Sequence, residues 1–132
     1  MAMATGEYKL LRHRAGRGSY ARVKVTVSEG EQAVVVEDNV FAWVKEAYGP
    51  NAFEHRDDDD FRGGAKVGAE YALRNRTKPG PMQHVRVSEI HFTNVDTARA
   101  GVAFAACFAV WNALGDPGAN PPTLDQQWPE AT

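Results

Sequence analysis

The stretch Ser19-Tyr20-Ala21-Arg22-Val23-Lys24-Val25-Thr26-Val27 decides the fold class. Ala21, Val23, Val25 and Val27 alternate with Tyr20, Arg22, Lys24 and Thr26, the two-residue period of a strand with one apolar and one wet face. The polar, glycine-containing Ser28-Glu29-Gly30-Glu31 then leads into Ala33-Val34-Val35-Val36. This reads as a hairpin of two antiparallel strands. Upstream, Leu10 and Leu11 lie in a short, cation-flanked segment that reads as an edge strand, broken from Ser19 by Gly16-Arg17-Gly18. Met1 to Gly6 is expected to be a few disordered residues with no leader-like apolar stretch.

Helical signals follow. Val40 to Tyr48 puts Phe41, Val44 and Tyr48 on one face and is stopped by Gly49-Pro50. After a polar loop from Asn51, the last of Asp57 to Asp60 caps a second helix that runs to about Asn75. Phe61, Ala65, Ala69, Ala72 and Leu73 form its apolar face, with Arg74, Arg76 and Lys78 at its negative end. Lys78-Pro79-Gly80-Pro81 ends it. Gln83 to Thr93 returns as a strand whose parity changes midway, Val85 and Val87 facing one way and Ile90 and Phe92 the other. Such a strand either carries a bulge or is buried on both sides, and a central position suits it. Asn94 to Thr97 supply cap residues for a third helix from about Ala98 to Leu114, ended by Gly115. That helix is apolar nearly all round, which implies burial or an oligomer contact. The expected division is one α+β domain over residues 1–115 and an extended, proline-rich tail over 116–132, with Trp128 able to pin it.

Composition bounds the partners. A chain of 132 residues with 43% hydrophobic and 24% charged residues has ordinary globular composition for a single domain. Its one cysteine, Cys107, cannot form an intramolecular disulfide and sits in an apolar run, so nothing points to an oxidising compartment and a cytoplasmic location is expected. The apolar run that contains Gly101 to Ala109 is bounded by Arg99 and Asn112, far shorter than the roughly 20 residues a bilayer needs, and no membrane partner is expected. The net charge of −2 hides an asymmetry: Lys9, Arg12, Arg14, Arg17, Arg22 and Lys24 fall in one window without an acid, leaving nine cations against all seventeen acids elsewhere.

No phosphate-binding loop is present, since Gly16-Arg17-Gly18-Ser19 and Gly63-Gly64-Ala65-Lys66 both lack the required spacing. Ser19, Ser28, Ser88 and Cys107 have no placeable base, so the chain is read as non-enzymatic, with no cofactor. His55 with Asp57 to Asp60, and His84 with His91, fit no metal-site spacing, and no metal is expected. The most suggestive group is Tyr20, Arg22 and Lys24 on the outer face of one strand beside Arg12, Arg14 and Arg17. Cations with an aromatic on a sheet face can hold a phosphate backbone and stack a base, which makes RNA or the ribosome the expected partner. An ordinary strand also carries Arg and Lys on its wet face, where they guard against aggregation.

The segment Gly16-Arg17-Gly18-Ser19-Tyr20-Ala21-Arg22-Val23 resembles the Gly-Arg-Gly-Gln-Tyr-Gly-x-Val stretch of domain IV in translation elongation factor G. Later features are similar in order: Val67 to Asn75, Pro79-Gly80-Pro81, Val85 to Phe92, then Val95-Asp96-Thr97-Ala98 leading into Ala103 to Leu114. The match covers Gly16 to Gly115 and fits poorly from Asp38 to Phe61. It implies a ribosomal-protein-like, two-layer α+β sandwich of one mostly antiparallel sheet of about four strands with two main helices. It also implies a left-handed βαβ crossover, against the usual handedness. As a stand-alone domain of that kind, the chain is expected to act in translation as a binding module. Two departures stand out: Phe92-Thr93-Asn94-Val95-Asp96 is shorter than the family's tip loop and lacks its histidine, and these 132 residues include no GTPase. The alternative is a protein-interaction module acting through the apolar last helix or the acidic loop. That helix is expected to leave Phe108 or Trp111 partly exposed and so to form a homodimer contact, unless the tail and Trp128 cover the same patch.

Overall fold

Val23, Val25 and Val27 are fully buried in a computed structural model that describes residues 3–14, 17–49, 58–78, 80–93, 97–124 and 126–128. The strand they belong to, β2 (Arg17–Glu29), lies in a sheet with β1 (Met3–Arg14), β3 (Ala33–Val36) and β4 (Gln83–His91). The spatial order is β1-β2-β4-β3. The helices are α1 (Ala42–Tyr48), α2 (Asp58–Arg74) and α3 (Arg99–Leu114). The two long ones, α2 and α3, pack together on the apolar side of the sheet, so the fold is an α+β sandwich of two layers.

Two expectations are corrected by the sheet, and a third question, the parity of β4, is answered. Residues 3–6 are not a loose terminus but the start of β1, which pairs antiparallel with β2 from Met3↔Ser28 to Arg14↔Arg17. Gly6 makes this possible, because a Cβ there would overlap Ala109 O and Ala113 of α3. Nor do β2 and β3 form a hairpin. β4 lies between them, antiparallel to β2 and parallel to β3, and the Gly30 N–H bonds Met82 O at 3.1 Å, handing the loop after β2 to the strand at its side rather than to the next in sequence. The midway change of parity in β4 is a bulge: Lys24 faces Glu89 and Val25 faces Val87, leaving Ser88 as the extra residue. The bulge returns Ile90 to the side of Val85 and Val87, so all three are buried, and the Ser88 hydroxyl donates to Lys24 O at 3.2 Å.

The helix layer is closed by small residues. Phe61, Ala65, Ala69, Ala72 and Leu73 of α2 are buried, as expected from their spacing. Gly64 and Gly68 allow α2 to touch α3, since a Cβ on Gly68 would overlap the Ala103 main chain. α3 is buried from Gly101 to Cys107 and from Ala109 to Trp111, which accounts for its near-uniform apolarity. Its N-cap is Ala98, which makes no side-chain cap bond. Thr97, expected among the cap residues, instead donates to Tyr20 O at 2.7 Å and accepts from Thr93 N–H at 2.8 Å, stitching the end of β4 to β2; Asn94 to Asp96 lie outside the described residues. At the other end Gly115 takes the left-handed conformation (φ 66°), and its N–H bonds Asn112 O at 3.3 Å.

Among the described residues after Gly115 there is no regular structure, and those residues pack closely on the body. The Asp116 carboxylate accepts bonds from Thr77 N–H at 3.1 Å, Thr77 Oγ1 at 2.8 Å and Gly118 N–H at 2.8 Å. Burial would raise its pKa, but these bonds and one from Lys78 N–H outweigh that and bring it down to about 2. Ala119 N–H bonds Asn75 O at 2.7 Å, the Tyr71 hydroxyl bonds Asn120 O at 2.5 Å, and Tyr71 meets Trp128 edge-on at 5.3 Å. Gly118 lies so close to the Trp111 indole that a Cβ would strike its six-membered ring.

Candidate nucleic-acid interface

The register of three strands defines an open face on the sheet. β2 turns Tyr20, Arg22, Lys24 and Thr26 away from the helices, each half-buried. Residues directly opposite on an antiparallel neighbour share a face. Thus Leu11 lies beside Tyr20, Lys9 beside Arg22 and Glu7 beside Lys24 on one flank, and His91 beside Arg22 and Glu89 beside Lys24 on the other. Leu11 is 68% exposed, an apolar residue opposite Tyr20 in the ladder. At the far corner the Trp43 indole stacks flat on the His91 imidazole, 4.6 Å between centroids, and its Nε1–H bonds Ile90 O at 2.7 Å.

The basic window is acid-free in sequence but not in space. Arg22 forms an ion pair and hydrogen bond with Glu7, a residue just outside the window, and that bond holds the Glu7 pKa below, and the Arg22 pKa above, their ordinary values. Lys24 lies 3.6 Å from Glu89, which also contacts His91 Nε2 at 3.2 Å, and Arg86 lies 3.6 Å from Glu37. These pairs are substantially exposed, each contributing about 0–1 kcal/mol, so an incoming anion can compete for the cations. Among the described side chains of this face, four cations, Lys9, Arg22, Lys24 and Arg86, lie with three carboxylates, Glu7, Glu89 and Glu37.

The expected six-residue cluster divides. Tyr20, Arg22 and Lys24 share the open face, but Arg12 faces the other way, opposite Ser19, with its guanidinium 5.1 Å from the centre of the Phe104 ring. Parity explains it: β1 begins early enough that Tyr8, Leu10 and Arg12 form its helix-facing row, and the adjacent pair Leu10-Leu11 hides that row from a short reading window. Arg14 and Arg17 are cross-strand partners at the hairpin end, away from Lys24. Lys9, Leu11, His91, Trp43 and Arg86 were not singled out for this face; extending the alternation of β2 to its neighbours brings them in once the pairing is known.

The expected exposed contact on α3 is also divided. Trp111, at 1% exposure, is buried, its Nε1–H bonding Ala72 O at 2.9 Å and its ring covered by Gly118. The tail therefore covers the patch that the sequence left open. Phe108 is half-buried, stacked on Tyr8 at 5.0 Å and against Phe104 at 4.8 Å. Cys107 is buried, and burial pushes its thiol up to about 12, which leaves it neutral and unreactive. Among the described residues no three His, Cys, Asp or Glu side chains gather as a metal cluster; His55 and Asp57 lie outside those residues. No described helix is long and apolar enough to cross a membrane.

No family model matches the sequence, and no curated protein matches it. Among solved structures, the chain is similar to a protein from Thermus thermophilus known by its crystal structure, with a TM-score of 0.60 and 15% identity. The likeness covers 83% of this chain and 15% of that one, so the fold recurs there as a small part of a much longer polypeptide. At that identity the likeness extends to the fold alone.

Proposed function

We propose that this chain is a non-enzymatic, cytoplasmic binding module, built like domain IV of elongation factor G, that contacts RNA or the ribosome through the open face of its sheet. One observation carries the reading: Tyr20, Leu11, Arg22, Lys24 and Lys9 meet on one uncovered surface supplied by two adjacent strands. An aromatic and an aliphatic side chain offer a base a surface to stack on, and the flanking cations track a phosphate backbone. A phosphate can replace their carboxylate partners Glu7 and Glu89 at little cost, because exposed ion pairs are weak. The rival reading through the apolar last helix has lost most of its surface, since α3 is buried on the sheet, on α2 and, at Trp111, under the tail.

The test is binding of labelled single-stranded RNA by fluorescence anisotropy over a salt series. The joint Arg22→Ala and Lys24→Ala variant is expected to bind about tenfold more weakly, with a log-log salt slope shallower by roughly 1.4, the value for two lost phosphate contacts on a single strand. Absent or salt-independent binding by the parent chain overturns the reading. Capture of a protein partner that follows replacement of Asp59 and Asp60, with Arg22 and Lys24 indifferent, supports the protein-interaction alternative.

A further inference from the structure

β1 is an edge strand of 12 residues, Met3–Arg14, with no proline and no register shift against β2. Long edges of that kind are normally blunted by bulges, prolines or inward charges; the inward charge of β1, Arg12, lies near its end at Arg14, away from Tyr8. The direction of its main-chain groups is fixed by two bonds. Lys24 O accepts from Ser88 of β4, so the main chain of Lys24 faces β4, and Glu7 opposite it is a non-hydrogen-bonded position of the β1–β2 ladder. Glu7 O accordingly lies on the outer side of β1, where Asn112 Nδ2 of α3 bonds it at 2.9 Å. By the alternation of a strand, Thr5, Lys9 and Leu11 also direct their N–H and C=O groups outward. Among the described residues no strand pairs with that edge.

We propose that this edge pairs with its own counterpart in a second copy of the chain, antiparallel, in the register that sets Tyr8 opposite Tyr8 and Glu7 opposite Lys9. Charge complementarity selects both the partner and the register. Shifting the two-fold by one residue either way sets Glu7 against Glu7 or Lys9 against Lys9, whereas the Tyr8-centred register forms two Glu7–Lys9 pairs at hydrogen-bonded positions. The Tyr8 pair falls at a non-hydrogen-bonded position, where side chains approach more closely. Each Tyr8 is already stacked on Phe108, so the dimer extends two half-buried clusters into one row of rings. Glu7 O can accept both the Asn112 amide and an N–H of the second copy, because a carbonyl has two lone pairs. The interface is isologous and closed, and its axis runs perpendicular to the sheet, so the two open faces lie side by side on one eight-stranded sheet.

Sedimentation velocity of the full chain over a concentration series tests this. The parent protein is expected to form a dimer. Lys9→Glu sets Glu against Glu twice and should weaken the dimer about tenfold or more. Its own fold is not at risk, because residue 9 is exposed and faces Arg22. Glu7→Lys alone should likewise dissociate. An equimolar mixture of the two variants restores both opposite-charge pairs and should sediment as a heterodimer. A parent chain that stays monomeric up to its solubility limit overturns the proposal, as does a Lys9→Glu dimer of undiminished affinity or a mixture that remains monomeric.

Discussion

On the helix-covered face of the sheet Val23, Val25, Val27, Val85, Val87 and Ile90 are fully buried, while on the opposite face the same two strands carry Arg22, Lys24, Arg86 and Glu89 in contact with solvent. The first face is held by shape. Gly6, Gly64 and Gly68 mark places where a single added carbon would collide with a neighbouring main chain. The second is held by exposed ion pairs that rearrange at small cost. Substitutions on the covered face should therefore change stability and leave binding of the surviving fold alone, and substitutions on the open face should do the reverse.

Trp111→Ala is expected to show the largest effect on stability. It removes a fully buried ring, its hydrogen bond to Ala72 O and the surface on which Gly118 rests, for a loss of about 3–5 kcal/mol read by denaturant unfolding. A loss under about 1 kcal/mol would mean that the tail does not cover the ring in solution. Gly68→Ala comes next. Its methyl group must displace the Ala103 main chain, at about 1–3 kcal/mol, although alanine is the better helix former.

Asp116 tests the join between body and tail. Because its folded pKa lies below the ordinary 3.8, its contribution is whole above that value and is lost as the pH falls toward 2. Asp116→Asn should cost about 1 kcal/mol at neutral pH and flatten the acid limb of a stability-against-pH curve; an unchanged acid limb would place the titrating group elsewhere. The smallest stability effect is expected on the open face. Arg22→Ala should shift unfolding by less than about 1 kcal/mol, and a larger loss would show that the Glu7 pair is structural rather than exchangeable.

Sequence carried the fold class, β2, both main helices and the break at Gly115, because each rests on a local period or a local stop. It did not carry the neighbours. The loop at Ser28 to Glu31 has hairpin chemistry, yet β4 takes the slot beside β2, a long-range choice that no local signal encodes. The bulge at Ser88 was legible only as an ambiguity, since a change of parity has the same appearance whether a strand kinks or is buried on both sides. The open face was half legible. Tyr20, Arg22 and Lys24 follow from one strand's alternation, but placing Arg12 on the opposite side and bringing Glu7 and Glu89 into the window require knowing which strands touch.

The strand order also sets a timetable. β1 and β2 are contiguous in sequence, so their ladder closes a short loop and can form within microseconds of collapse. β4 reaches β2 only after the chain has laid down everything from residue 30 to residue 82, and β3 has no strand to rest on until β4 has arrived. Loop closure of that length predicts that docking of β4 follows the β1–β2 ladder in folding. β3, four residues on the far edge, is thus last in and first out, and its amides should exchange with solvent deuterium ahead of those shared by β2 and β4.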